Sequence, residues 1–154
     1  MNDEVNREDG QQAAPATIFR PKAVKPSLHN SSFIIHNSQD LRERTKAFAL
    51  RIVRMFSALP KATVAQVLGK QALRSGTSVG ANYREAFRAR SKPEFISKLG
   101  DCLKELDETA YWLELLVESK IITAARLAPL QDECNQLTAI FTTIAKKSKA
   151  NPDS

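Results

Sequence analysis

Histidine is nearly missing from this sequence, and its scarcity excludes more chemistry than any residue present suggests. His29 and His36 are the only two in 154 residues, and both lie near the N-terminus. The rest of the chain therefore cannot build a di-metal carboxylate centre of the Glu-x-x-His type. Ser–His and Cys–His nucleophile systems are excluded there for the same reason. Cysteine is scarce too. Cys102 and Cys134 fall on apolar positions of helical patterns, which reads as buried small hydrophobes in preference to a redox or metal pair. Their spacing is not a disulfide framework, so a reducing cytoplasm is the expected setting. Five glycines argue against a turn-rich all-β design. No long apolar run occurs either. Phe33-Ile34-Ile35 is far too short to span a bilayer, and the polar, acidic start from Met1 to Asp9 carries no secretory signal. No membrane partner, metal or cofactor is expected.

The length suits one domain with a real hydrophobic core. Residues 1–38 hold Pro15, Pro21 and Pro26 and no sustained period, and read as a disordered tail. A bundle domain is expected over residues 39–149. Leu41, Thr45, Phe48, Ile52, Met55 and Leu59 alternate steps of four and three, forming one apolar stripe that Pro60 ends. A second helix is expected from Thr63, as N-cap, to about Ala89. Ser91-Lys-Pro-Glu94 is a capping box for a third, whose stripe runs from Phe95 and Leu99 to Leu113 and Leu116. A fourth begins near Thr123, with Pro129 predicting an irregular first turn or a later start. Short links force antiparallel neighbours, so the fold class is all-α: an up-down-up-down four-helix bundle.

The second helix carries Gly69, Gly76 and Gly80, each worth about 1 kcal/mol against alanine in a helix interior. Ala72, Gly76 and Gly80 recur every four residues and leave one face almost without side chains, suited to close approach of another helix or another subunit. A phosphate-cradling loop over Ser75–Gly80 is the sharper alternative, but the Gly-Lys-Ser/Thr ending and a preceding strand are both missing.

Charge is strongly segregated. Residues 41–90 carry +9, residues 91–122 carry −3, and the whole chain carries +6. The basic half displays Arg42, Arg44, Lys46, Arg51, Arg54, Lys70, Arg74, Arg84, Arg88 and Arg90, a candidate surface for nucleic-acid phosphates. Arginine dominates it, which suits phosphate forks. Only Tyr83 and Phe87 interleave as aromatics, so base stacking has little support. The competing reading pairs these cations with acids of the third helix, Glu105 and Glu108 among them, within or between subunits. Trp112 beside Tyr111 suits packing or an interface. Glu85 is a candidate buried acid with no partner base, so no enzyme is expected.

Three segments carry a resemblance: Gln71-Ala-Leu-Arg-Ser-Gly-Thr-Ser-Val-Gly-Ala-Asn-Tyr-Arg-Glu-Ala86, Ser91-Lys-Pro-Glu-Phe-Ile-Ser-Lys-Leu99 and Lys104-Glu-Leu-Asp-Glu-Thr-Ala-Tyr-Trp-Leu113. They resemble the bacterial four-helix bundle proteins encoded in intervening sequences of large-subunit (23S) ribosomal RNA genes. The resemblance spans about residues 41–147 and implies an up-down-up-down bundle assembled as a homopentamer. It maps the family's Asn-x-x-Glu step onto Asn82 and Glu85, and its small-residue run onto Ser75 to Ala81. It brings no catalytic residue. Relatives include the accessory variability proteins of diversity-generating retroelements, which implies RNA or DNA, and a reverse transcriptase, as partners.

Overall fold

The computed structural model describes the backbone of residues 28–150, with side chains from residue 40 onward. Four helices account for nearly all of it: α1 (Leu28–Ser57), α2 (Thr63–Phe87), α3 (Lys92–Glu118) and α4 (Ala124–Ala150). Each packs on its sequence neighbour, and α4 closes back on α1. The α2–α3 seam is the most extensive and the α1–α4 seam the thinnest.

The core is where the stripes place it. Phe48, Ile52, Leu99, Leu106, Leu113, Leu116, Leu137 and Phe141 are all essentially inaccessible to solvent. Tyr83 tilts against the Phe141 ring at 5.2 Å between centroids. Cys102 and Cys134 are buried free thiols that donate to the carbonyls of Val79 and Leu106 on the neighbouring helices. Three hydroxyls are buried with them: Thr45 Oγ1 donates to the Leu41 carbonyl, and the other two meet between helices. Thr109 Oγ1 lies 2.8 Å from Ser75 Oγ across the α2–α3 seam and 2.6 Å from the Glu105 carbonyl, while Ser75 Oγ lies 3.0 Å from the Gln71 carbonyl. Two hydroxyl protons cannot fill three such contacts at once, so one of the three lacks a proton of its own.

The small-residue face of α2 lies against α1. A Cβ added at Gly76 would stand 2.8 Å from Ile52 Cγ1, and one at Gly69 would collide with Leu59 and Phe56. Ser75, Gly76 and Gly80 all lie within helix α2, so the segment is helix interior and not a phosphate-cradling loop.

Helix ends differ from the sequence expectation in two places. The backbone is helical from Leu28, well before the stripe begins at Leu41; the part of the expected tail before Leu28 lies outside the described residues. Helix α2 has Ala62, not Thr63, at its N-cap, with no side-chain cap. Instead Gln66 Nε2 donates to the Pro60 carbonyl across the turn. Of the two outcomes expected for α4, the start is not delayed but the first turn is tightened, the Arg126 amide donating to the Thr123 carbonyl at 3.1 Å, with Pro129 inside the helix. Pro129 and Ala125, whose carbonyl loses its i+4 donor, are both exposed, so water can fill that bond. At the α3 start Ser91 Oγ accepts from the Glu94 amide at 3.3 Å, as the capping box predicts, while the Glu94 carboxylate accepts from the Arg90 amide at 2.8 Å, one residue before the N-cap.

Candidate nucleic-acid interface

The basic residues of α1 and α2 divide into those held by acids and those left to solvent. Arg44 is the most firmly held. Its Nε donates to Glu133 Oε1 at 2.7 Å and its Nη2 to Glu133 Oε2 at 3.0 Å, with Gln136 Oε1 accepting a further bond at 2.7 Å. Donating to the Glu133 carboxylate holds the guanidinium pKa above its ordinary value in spite of partial burial. This fork ties α1 to α4 and serves packing. Arg74 reaches Glu105 and Glu108 on α3. Lys46 pairs with Glu43 one turn away, and Arg90 with Glu94.

Arg42, Arg51, Arg54, Lys70, Arg84 and Arg88 form no ion pair among the described residues. They do not make one continuous patch. Arg42 stacks over the exposed Phe87 ring at 5.3 Å, near Arg84 and Arg88, at the end of the bundle where α2 turns into α3. Arg51 and Arg54 stand toward the opposite end, about two and a half and three and a third turns down α1 from Arg42, roughly 13–18 Å along its axis. Lys70 lies exposed on the lower part of α2.

The interface candidates also separate. Ala72, Gly76 and Gly80 are buried within α2, and the two glycines face Ile52 and Thr45 of α1 in the same chain. Glu105 and Glu108 are engaged by Arg74 of the same chain. Burial pushes the Glu105 carboxyl up, and Arg74 only partly offsets it. Trp112 packs against the core and lies edge-on to Tyr111 at 5.0 Å; its buried indole N–H has no partner among the described residues. Glu85 is exposed, not buried. The Lys98 ammonium beside it holds its carboxyl below the ordinary range.

One residue escaped the sequence reading. Arg126, in the first turn of α4, joins Arg51 and Arg54 around a cleft of about 330 Å³ between α1 and α4. Counting charge by segment hid it, because the stretch from residue 123 onward is nearly neutral. The available signal was positional: an arginine in a first helical turn opposes the macrodipole.

Burial leaves both thiols in poor condition for chemistry, pushed up to about 12. Among the described residues no group of His, Cys, Asp and Glu is arranged to hold a metal ion, and no helix is long and apolar enough to cross a membrane.

Four antiparallel helices, a nearly side-chain-free face on α2 and a capping box opening α3 define an up-and-down bundle of all-α class. The chain belongs to the 23S rRNA-intervening sequence protein family, whose profile matches residues 37–143. A crystal structure of a protein of unknown function from the S23 ribosomal protein family of Bacteroides thetaiotaomicron is similar at 38% identity and a TM-score of 0.67. The match covers 71% of this chain and 97% of that one. No curated protein matches the chain.

Proposed function

We propose that this chain is a non-enzymatic, oligomeric bundle that binds the phosphate backbone of RNA or DNA, or scaffolds a ribonucleoprotein, through cations of α1 and α2. The observation that carries this reading is the set of basic side chains without acid partners among the described residues, Arg42, Arg51, Arg54, Lys70, Arg84 and Arg88. A surface kept cationic beside an acid-rich α3 costs self-repulsion that a polyanion removes. Arg42 stacked on Phe87, with Arg84 and Arg88 nearby, gives the densest group, and guanidinium forks there suit phosphate oxygens. The family resemblance adds a homopentameric assembly and, by way of the retroelement relatives, a reverse transcriptase as protein partner; the sparse cysteines suit a reducing cytoplasm.

The test is a mobility-shift titration with structured RNA and duplex DNA across a salt series. Affinity should fall linearly on a logarithmic salt scale, with little dependence on sequence. Arg84→Glu with Arg88→Glu should weaken binding at low salt and flatten that slope by about two. No shift at low salt, or an unchanged affinity in the double variant, overturns the assignment of these residues.

A second reading, a structural oligomer or protein-binding adaptor with no nucleic-acid role, draws on Arg44 and Arg74. Both are spent on acids of the same chain, which is what charges serving helix pairing would do. Its signature is an assembly whose mass and partners are indifferent to added nucleic acid.

A further inference from the structure

The α1–α4 seam, the thinnest of the bundle, is uneven along its length. The Arg44–Glu133 fork closes it on one side. Toward the α3–α4 turn the helices part and leave the cleft of about 330 Å³. Its floor is apolar, made by Met55, Leu59, Ile122, Leu127 and Leu130. Its charged lining is Arg51, Arg54 and Arg126, with no carboxylate among the lining residues. None of the three arginines has an ion pair or a side-chain hydrogen bond among the described residues.

Arg54 alone has an ordinary explanation, since it stands in the last turn of α1, where a cation complements the dipole. Arg126 has none. It lies in the first turn of α4, the positive end of that helix, and that turn holds no acid to offset it. Two arginines from α1 and a third from α4 thus line one concavity. Like charges gathered over an apolar floor repel one another, and a bound anion would relieve that repulsion. Local rules broken without compensation in the fold mark functional positions.

We propose that this cleft is a phosphoryl-binding site, taking one phosphate or diphosphate group held by the forks of Arg51, Arg54 and Arg126. Guanidiniums present planar pairs of donors that match phosphate oxygens and stay charged at every physiological pH. The volume sits at the lower edge of small-molecule sites, enough for a diphosphate with at most one nucleoside attached. The same chemistry is offered by a free nucleotide and by a nucleic-acid strand; the strand source rests on the function proposed above.

The probe is inorganic pyrophosphate, titrated calorimetrically into the full-length chain at low salt. One saturable site per chain is expected. Arg126→Gln should weaken it by about tenfold or more, and Arg126→Lys by less, because charge survives but the fork does not. Arg126 is exposed, so helicity should be unchanged in both variants. Arg84→Glu with Arg88→Glu, at the far end of the bundle, should leave pyrophosphate binding intact. Absence of saturable binding, or binding indifferent to Arg126→Gln, overturns the site. A mobility shift with the same variants then assigns the source. A strand in the cleft predicts that Arg126→Gln lowers oligonucleotide affinity and the salt slope by about one. A free nucleotide predicts pyrophosphate binding that needs Arg126 while oligonucleotide affinity does not. Pyrophosphate bound and no oligonucleotide shift at all would leave the site standing and remove the nucleic-acid function. The converse pattern, oligonucleotide binding that needs Arg84 and Arg88 with no pyrophosphate bound, would do the opposite.

Discussion

Gly76 and Gly80 lie four residues apart on the same face of α2, yet a methyl group would fare differently at each. At Gly76 it meets the branched root of Ile52, a fully buried side chain with no room to turn aside. At Gly80 the nearest atom is Thr45 Oγ1 at 3.5 Å, an ordinary contact, and at Gly100 nothing lies within 4 Å. Gly76→Ala should therefore destabilise by roughly 1–3 kcal/mol through overpacking, less the gain in helix propensity. Gly80→Ala and Gly100→Ala should each stabilise by about 0.5–1 kcal/mol. Urea midpoints at constant slope would check all three. The recurrence of small residues was legible in the sequence as a close-approach face. Which glycine is indispensable was not, because that depends on the axial offset of α1 against α2 and on the Ile52 rotamer.

The same scale governs the pH response. Burial pushes the thiols of Cys102 and Cys134 up to about 12, from an ordinary value of 9.0. Between those values the folded chain keeps protons that the unfolded chain has lost. Stability present below pH 9 must therefore decline as pH rises toward 12, and Tyr83, likewise pushed up to about 12, adds to the decline. Native protein at pH 8 should resist maleimide, with both cysteines reacting only after denaturation; rapid native labelling would contradict the buried placement. Glu105 carries the same sign at lower pH. Its carboxyl is raised by burial, so its ionisation costs stability in spite of Arg74. Glu105→Gln should then be neutral or slightly stabilising at pH 7, within about 0.5 kcal/mol, by thermal melt. The sequence offered Glu105 as an acid to be paired; the cost of desolvating it depends on how deep α2 seats against α3.

At the scale of the element, α3 is the best specified helix. Ser91 and Glu94 announce its start in the sequence; the Ser91 bond of the box forms, while the Glu94 carboxylate reaches one residue further back, to the Arg90 amide. Its end was not announced, because no glycine marks it. Lys120 adopts a left-handed φ of 58°, while the Ile121 amide donates to the Leu116 carbonyl and the Lys120 amide to the Val117 carbonyl. That is a Schellman cap with lysine at the position glycine usually fills. Lys120→Gly should stabilise by roughly 0.5–1 kcal/mol, the relief of a strained backbone less the added entropy of the unfolded chain. Ser91→Ala, at the other end, should cost about 1 kcal/mol. Both read out in chemical denaturation. A lysine at a left-handed cap has no pattern in sequence, and neither does a proline carried inside α4. The first is a strained backbone that the two cap bonds hold in place, and the second depends on solvent reaching the exposed Ala125 carbonyl.

For the whole molecule, the open question is what covers the remaining apolar surface. Leu50 and Val53 on α1 are 45% and 39% exposed, and Val64 and Val67 on α2 are 61% and 54% exposed. Single exposed apolar residues are unremarkable, but each of these pairs stands one turn apart and so shares a helix face. Glu105 and Glu108, candidates from the sequence for joining subunits, are already engaged by Arg74 within the chain, which shifts the weight of any assembly onto apolar contacts. Apolar and phosphate contacts respond to salt in opposite directions. Burial of Leu50, Val53, Val64 and Val67 between copies should hold or tighten as salt rises, whereas bound nucleic acid should be released. Light scattering across a salt series on the chain mixed with RNA should thus show the nucleic acid leaving while the protein mass stays oligomeric. Val53→Asp with Val67→Asp should lower that mass to the protomer without loss of helicity, since neither side chain belongs to the core. A protomer mass for the unaltered chain at every salt concentration would end the oligomeric reading, and an assembly that salt dissociates would return the contacts to charged pairs.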